Sequence, residues 1–213
     1  MTRTRPAGVA IANALTLAIL LAVTGCTGPA GAPEPAAVTQ PSPATAAMRL
    51  DKPTKLLDTW TESVDRVLHG QAQQNMGNFK KLLAGAPTSA VGTAYVRAEE
   101  VYSRDLGLHI PGDDQRVILV SGVSGTITDP DATLDKLFTG LPNVTAVTPI
   151  APGPLGGAAR CGVGRTETGI RGDVCVWVDQ HTLALVTFLG FKQTDNPHEL
   201  FGQIRAEVEH PAR

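Results

Sequence analysis

From Val117 onward the apolar positions switch back and forth between strand-like and helix-like spacing. Residues 117–120, Val-Ile-Leu-Val, form an unbroken and largely β-branched run that ends in glycines, the pattern of a strand covered on both faces. The next segment, TDPDATLDKLFTGLPN, opens with Asp129 as a cap and Pro130 at the first helical position, turns Leu134, Leu137 and Phe138 inward, and stops at Gly140; it predicts a helix. VTAVTPIAP predicts a strand, and GPLGGAARCGV a glycine-rich approach to another. In DVCVWVD, Val174, Val176 and Val178 alternate with Cys175, Trp177 and Asp179, so the two sets face opposite sides of one strand. TLALVTFLGF follows after only Gln180 and His181, close enough for an antiparallel hairpin. The last helix is predicted from Asn196 or Asp195 as cap, Pro197 as opener, and Leu200, Ile204 and Val208 at every fourth position.

The pattern is weaker upstream. MRLDKPTKLLDTW reads as an extended lead-in that Pro53 confines to an edge or bend. NMGNFKKLLAGAP predicts a short helix with Phe79, Leu82 and Leu83 on one side, ended by Gly85 and Pro87. AVGTAYVRAEEVY fits either period, with the strand preferred, and a loop through DLGLHIPGDDQ follows it. Strands that follow one another directly cannot be parallel neighbours, so the class is α+β: a mainly antiparallel sheet with short helices packed on it.

The first 48 residues have a different pattern. Arg3 and Arg5 precede an apolar run from Ala10 to Val23, as in a secretory signal, and the run is too short to span about 30 Å of hydrocarbon comfortably. It ends in Val23-Thr24-Gly25-Cys26, which resembles the lipobox of bacterial lipoproteins. That resemblance implies removal of residues 1–25 as a signal peptide, acylation of Cys26 (diacylglyceryl, palmitate-type chains), and a location on the outer face of the cell membrane; two chains hold stably where one holds marginally. Residues 26–48 then form a Pro/Ala-rich linker, with five prolines and a single charge after Cys26, unable to bury enough surface to offset its ordering entropy. Residues 49–213 are 165 residues, a single domain's worth, long enough to bury about 70% of the unfolded surface.

Charge narrows the partners. Loss of Arg3 and Arg5 would leave 16 basic against 20 acidic residues, a net charge of −4. No basic footprint for nucleic acid is present, and no nucleic-acid partner is expected.

The remaining chemistry centres on CGVGRTETGIRGDVCVWVDQHT. With Cys26 set aside, Cys161 and Cys175 are an even pair in an exported domain, which predicts a disulfide. A zinc site on Cys161, Cys175, Asp179 and His181 is disfavoured, because structural zinc ligands usually come as close Cys-x2–4-Cys pairs. A redox pair of the thioredoxin type is disfavoured for the same lack of Cys-x-x-Cys spacing. No cofactor and no metal is expected. Trp177 reads as core against the bridge, and His181 as a turn residue. GVSG at residues 122–125 lacks the last glycine of a nucleophile elbow, since Thr126 stands there, and the histidines are scattered.

LVSGVSGTITDPDATLDKLF, GPLGGAARCG and VCVWVDQHTLALVTF together resemble a family of actinobacterial lipoproteins and membrane-anchored proteins. The shared segments are Gly-Gly-x-x-x-Cys-Gly, here Gly156, Gly157, Cys161 and Gly162, and Cys-x-Trp-x-Asp-x-x-Thr, here Cys175, Trp177, Asp179 and Thr182. The resemblance covers the chain from about Val117. It implies fold and location and lends no activity.

The functional expectation is a membrane-tethered, non-enzymatic envelope module that binds a protein, a wall polymer or a small molecule. The alternative is an extracytoplasmic hydrolase acting on wall or lipid esters. A candidate interaction loop face combines Arg165, Glu167, Arg171, Asp179 and His181, with residues 153–157, at one end of the sheet.

Overall fold

A computed structural model describes residues 47–166 and 169–212 of the 213. The expected signal peptide, Cys26, most of the linker and Glu167 lie outside the described residues.

An eight-stranded sheet, antiparallel at every pairing, runs through the domain in the order β2-β3-β4-β7-β11-β10-β9-β8. Its strands are β2 (Lys55–Leu56), β3 (Trp60–Glu62), β4 (Ser89–Val96), β7 (Val117–Ser124), β8 (Thr145–Pro149), β9 (Ala158–Arg165), β10 (Arg171–Val178) and β11 (Thr182–Leu189). A two-stranded pair joins β1 (Met48–Leu50) to β12 (Glu209–Pro211), and β5 (Val101–Ser103) with β6 (Gly107–His109) makes a small separate hairpin. The helices are α1 (Arg66–Phe79), α2 (Pro130–Thr139) and α3 (Pro197–Val208). The fold is therefore α+β with a mainly antiparallel sheet and one disulfide, Cys161–Cys175.

Strand alternation sorts the core into two layers. Val174, Val176, Val178, Leu183 and Leu185 face α2 and the end of α1, packing on Leu134, Leu137 and Phe79. Ala94, Val96, Val117 and Leu119 meet Ala72 of α1 on the same face. The opposite face carries Cys175, Trp177, Ala184, Val186 and Phe188 against Phe201, Ile204 and Val208 of α3 and Leu50 of β1. Every residue of β7 is buried, as its unbroken apolar run predicts.

Several expectations shift by a register or an element. β1 already includes Met48, so the folded part begins ahead of residue 49. The first helix lies upstream of its expected place: α1 ends at Phe79, and Lys80–Leu82 is only a 3-10 turn. Its sequence, RVLHGQAQQNMGNF, has no apolar stripe because the helix lies close over a strand, where Gly92 has α1 backbone within 3.1 Å of a would-be Cβ and Ala72 is fully buried. The loop expected through DLGLHIPGDDQ contains β6. In α3 the buried set is Pro197, Phe201, Ile204, Arg205 and Val208, with Leu200 only partly covered; Asn196, in the left-handed region at φ 51°, precedes the helix without a side-chain cap bond.

Candidate functional sites at the two ends of the sheet

The long strands share two ends. At one, Ser89, Ser124, Thr182, Val178 and Ala158 are cross-strand neighbours of one another in turn, except that Thr182 and Val178 are linked through the hairpin turn. At the other lie Val96, Val117, Leu189, Gly172 and Arg165. The eight-residue strands separate these ends by about 24 Å at 3.4 Å per step. This divides the expected loop face: Asp179 and His181, with residues 153–157, stand at the Thr182 end, whereas Arg165 and Arg171 stand at the Leu189 end. An antiparallel hairpin sends the two sides of its partner loops to opposite ends, which their proximity in sequence conceals.

At the Thr182 end, Asp179 closes the β10–β11 turn. Its Oδ1 accepts the backbone N–H groups of His181 at 2.6 Å and Thr182 at 2.8 Å. Its Oδ2 accepts the Thr182 hydroxyl at 2.7 Å and Arg205 Nη2 at 2.9 Å. Arg205, only 2% exposed, also donates through Nε to Glu209 Oε2 at 2.7 Å and through Nη1 to the carbonyls of Pro152 at 2.9 Å and Gly156 at 2.7 Å. The guanidinium stacks 5.5 Å from the Trp177 ring, whose Nε1 donates to Thr182 Oγ1 at 3.1 Å. One side chain thus ties together α3, β12, the turn and the glycine-rich loop.

The Thr182 hydroxyl is shared between two carboxyl groups. Thr182 Oγ1 lies 2.7 Å from Asp179 Oδ2 and 3.0 Å from Glu209 Oε1, and it has one proton to give. Thr182 can therefore donate to only one of the two carboxyl groups at a time. Burial pushes the Glu209 carboxyl above its ordinary range, against the pull of Arg205.

Beside the cluster is an open groove of about 650 Å³, lined by Met48, Pro130, Leu155, Gly157, Asp179 and His181 among others. Gly157 has φ +82°, and a Cβ there would sit 2.5 Å from the Val178 carbonyl oxygen, so this loop can approach the strand only as glycine. The adjacent GVSG segment is structural as well. Ser124 is fully buried, with its hydroxyl 2.7 Å from that of Thr88 and 2.6 Å from that of Ser89, while a Cβ at Gly122 would be 2.6 Å from Leu50 Cδ1.

The disulfide lies nearer the middle of the sheet. Cys161 and Cys175 are direct cross-strand partners in β9 and β10, with Cα atoms 4.1 Å apart, and both belong to the cluster that contains Trp177. A cleft of about 230 Å³ opens over Cys161 between the sheet and the start of α3, lined also by Thr148, Arg171, Asp173, Asn196 and His198. Arg171 Nη2 donates to Asp173 Oδ1 at 3.3 Å. Asp179 and His181 are not at the sulfurs; the histidine that the fold brings there is His198, a residue far away in sequence that spacing alone could not connect to the pair.

At the Leu189 end several large apolar side chains are left exposed among charged ones. Val67 is 78% exposed, Tyr102 77%, Leu106 71% and Ile170 51%. Leu68, Leu108, Ile110, Leu189 and Ile170 line a hollow of about 470 Å³ between α1, the β5–β6 hairpin and the β9–β10 loop. The sequence reading missed these residues, because α1 and β6 were not expected where they are.

No family model, curated protein or solved structure matches the chain.

Proposed function

We propose that this chain is a membrane-tethered, extracytoplasmic lipoprotein whose domain is a non-enzymatic binding module, docking an envelope partner protein through the apolar Leu189 end. The anchor is Cys26, after a signal peptide that covers residues 1–25, and the family it resembles is the actinobacterial lipoprotein family named above. The carrying observation is the exposure of large apolar side chains on the elements that frame this hollow, Val67 on α1 and Tyr102 and Leu106 on the β5–β6 hairpin, together with Ile170, which lines the hollow itself. Large apolar groups grouped on a polar surface mark sites that another surface covers. A tether also raises the local concentration of a partner held in the same envelope, so a modest contact suffices.

The test is crosslinking and co-purification from native membranes, comparing the natural chain with Tyr102→Ala/Leu106→Ala/Ile170→Ala. The expected result is loss of the main crosslinked partner at unchanged membrane attachment. An unchanged partner set, or turnover of an ester or muropeptide substrate by the purified chain, would overturn the reading. For the anchor, intact mass should show an acylated Cys26 as the mature N-terminus, and an unmodified Cys26 would contradict it.

A further inference from the structure

Beyond this reading, we infer that Cys161, Cys175 and His198 form a redox-gated site for a soft or borderline cation such as Zn(II) or Cu(I), closed while the disulfide is intact and opened by its reduction. Three observations support it. The two sulfurs and a ring nitrogen of His198 all lie within 4.8 Å of one another. Both cysteines are cross-strand partners in a ladder paired on both sides, β10 with β9 and with β11, so the backbone that carries them is held by hydrogen bonds independent of the bridge. His198 is exposed on the first turn of α3 and lines the cleft together with Cys161, whereas the two cysteines themselves are buried, 2% and 0% exposed.

The required movement is small. Zinc bonds of about 2.3 Å to sulfur and 2.0–2.1 Å to nitrogen place tetrahedral ligand atoms roughly 3.5–3.7 Å apart. The sulfurs must therefore separate once their bond is cut, while His198 closes by about 1 Å from the upper limit of its present spacing. Two thiolates and an imidazole suit Zn(II) and Cu(I) over harder cations, and the open side of the cleft leaves a fourth position for water or an incoming ligand.

Opening needs a dithiol reductant. Its thiolate attacks Cys161, the one of the two cysteines that borders the cleft, as local opening exposes the sulfur; the Cys161–Cys175 bond breaks and Cys175 leaves as thiolate. The second reductant thiol displaces Cys161 from the mixed disulfide, so the reductant ends as its own disulfide and the chain gains two electrons and two protons. Cation binding to the two thiols releases those two protons.

The test uses the full-length chain, oxidised and reduced, titrated with Co(II) as a coloured stand-in and with Zn(II) in competition. The reduced chain should take up one Co(II) with a thiolate charge-transfer band that Zn(II) removes, and the oxidised chain should show no band. His198→Ala should weaken uptake by about tenfold or more, on the scale of losses seen when even a ligand's supporting contact is removed. His181→Ala, at the far turn, should leave uptake unchanged. The inference is overturned by a reduced chain without the band, by equal affinity in His198→Ala and the natural chain, or by a reduced chain that loses its near-ultraviolet circular dichroism and does not regain it with metal. Each of these results leaves partner docking at the Leu189 end unaffected, so the two proposals fail separately.

Discussion

The two ends of the sheet are built from the same strands and solve opposite problems. At the Thr182 end, a buried guanidinium is hydrogen-bonded on every side, with Arg205 held by the carboxyl groups of Asp179 and Glu209 and by two carbonyls. At the Leu189 end, apolar side chains are left outside, and the nearby ion pairs are partly solvated: Arg116 meets Asp114 at 2.6 Å and Asp195 at 3.1 Å, all three between a fifth and a third exposed. The difference teaches where the chain places its rigidity. The motif residues Trp177, Asp179 and Thr182 hold the turn, the glycine-rich loop and the terminal strands in place. The end without such a lock presents the surface proposed for binding.

The largest expected effect comes from breaking the lock. Arg205→Leu leaves Asp179 buried without its cation and frees two carbonyls, so urea denaturation should show a loss of about 3–5 kcal/mol, the cost of breaking a buried pair from one side. Arg165→Ala, at the other end, removes only an exposed bond to the Gly169 carbonyl and should change stability by less than about 1 kcal/mol. Equal losses at both ends would erase the contrast.

Reduction of Cys161–Cys175 ranks second. In the chain-entropy account a loop of this size contributes about 3 kcal/mol, so the urea midpoint should fall while the domain stays folded. Unfolding on reduction would mean that the β9–β10 pairing depends on the bridge.

Gly157→Ala should cost about 1–3 kcal/mol, as overpacking does, since it combines a left-handed backbone with a contact to the Val178 carbonyl. Gly153→Ala shares the positive φ, at +81°, but meets nothing within 4 Å, so comparing the two midpoints separates the contact from the backbone strain.

The smallest effects should appear in pH dependence, with opposite signs at the two ends. The folded state raises the Glu209 pKa above its ordinary value near 4.5, so its contribution is fully present below that value and declines as pH rises through the higher folded value. Arg116 beside Asp114 holds the latter's carboxyl below its ordinary value near 3.8, so its contribution is present above that pH and is lost as pH falls through the lower folded value. Glu209→Gln should therefore flatten the stability profile on the side above 4.5, and Asp114→Asn should flatten it on the acid side. A Glu209→Gln chain with the natural profile would contradict a raised Glu209 pKa.

Much of the core was legible because β7 is an unbroken apolar run, β10 alternates cleanly, α2 carries the Asp129 cap and Pro130, and α3 opens at Pro197 with an apolar stripe. The disulfide was legible from cysteine parity. The α1 helix was not, since its buried face is reduced to Ala72 and Phe79 and its closeness to the sheet is made by Gly92, a residue of another element. The Arg205 cluster was hidden for a related reason. An arginine among Gln, Ile, Ala and Glu on a terminal helix reads as a solvated position, and only the fold shows that it meets Asp179, 26 residues earlier. His198 beside the sulfurs and the apolar hollow likewise depend on contacts between elements that no spacing along the chain reports.

The central claim, that partners meet the apolar end and not the locked end, is tested most directly by site-specific photocrosslinking in intact cells. A photoreactive phenylalanine analogue is placed at Tyr102 in one chain and at Gln180 in another, both at natural expression. The account predicts a discrete crosslinked partner band from position 102, lost when Leu106 and Ile170 are changed to Ala, and none from position 180. A band from position 180 with none from position 102 would contradict it.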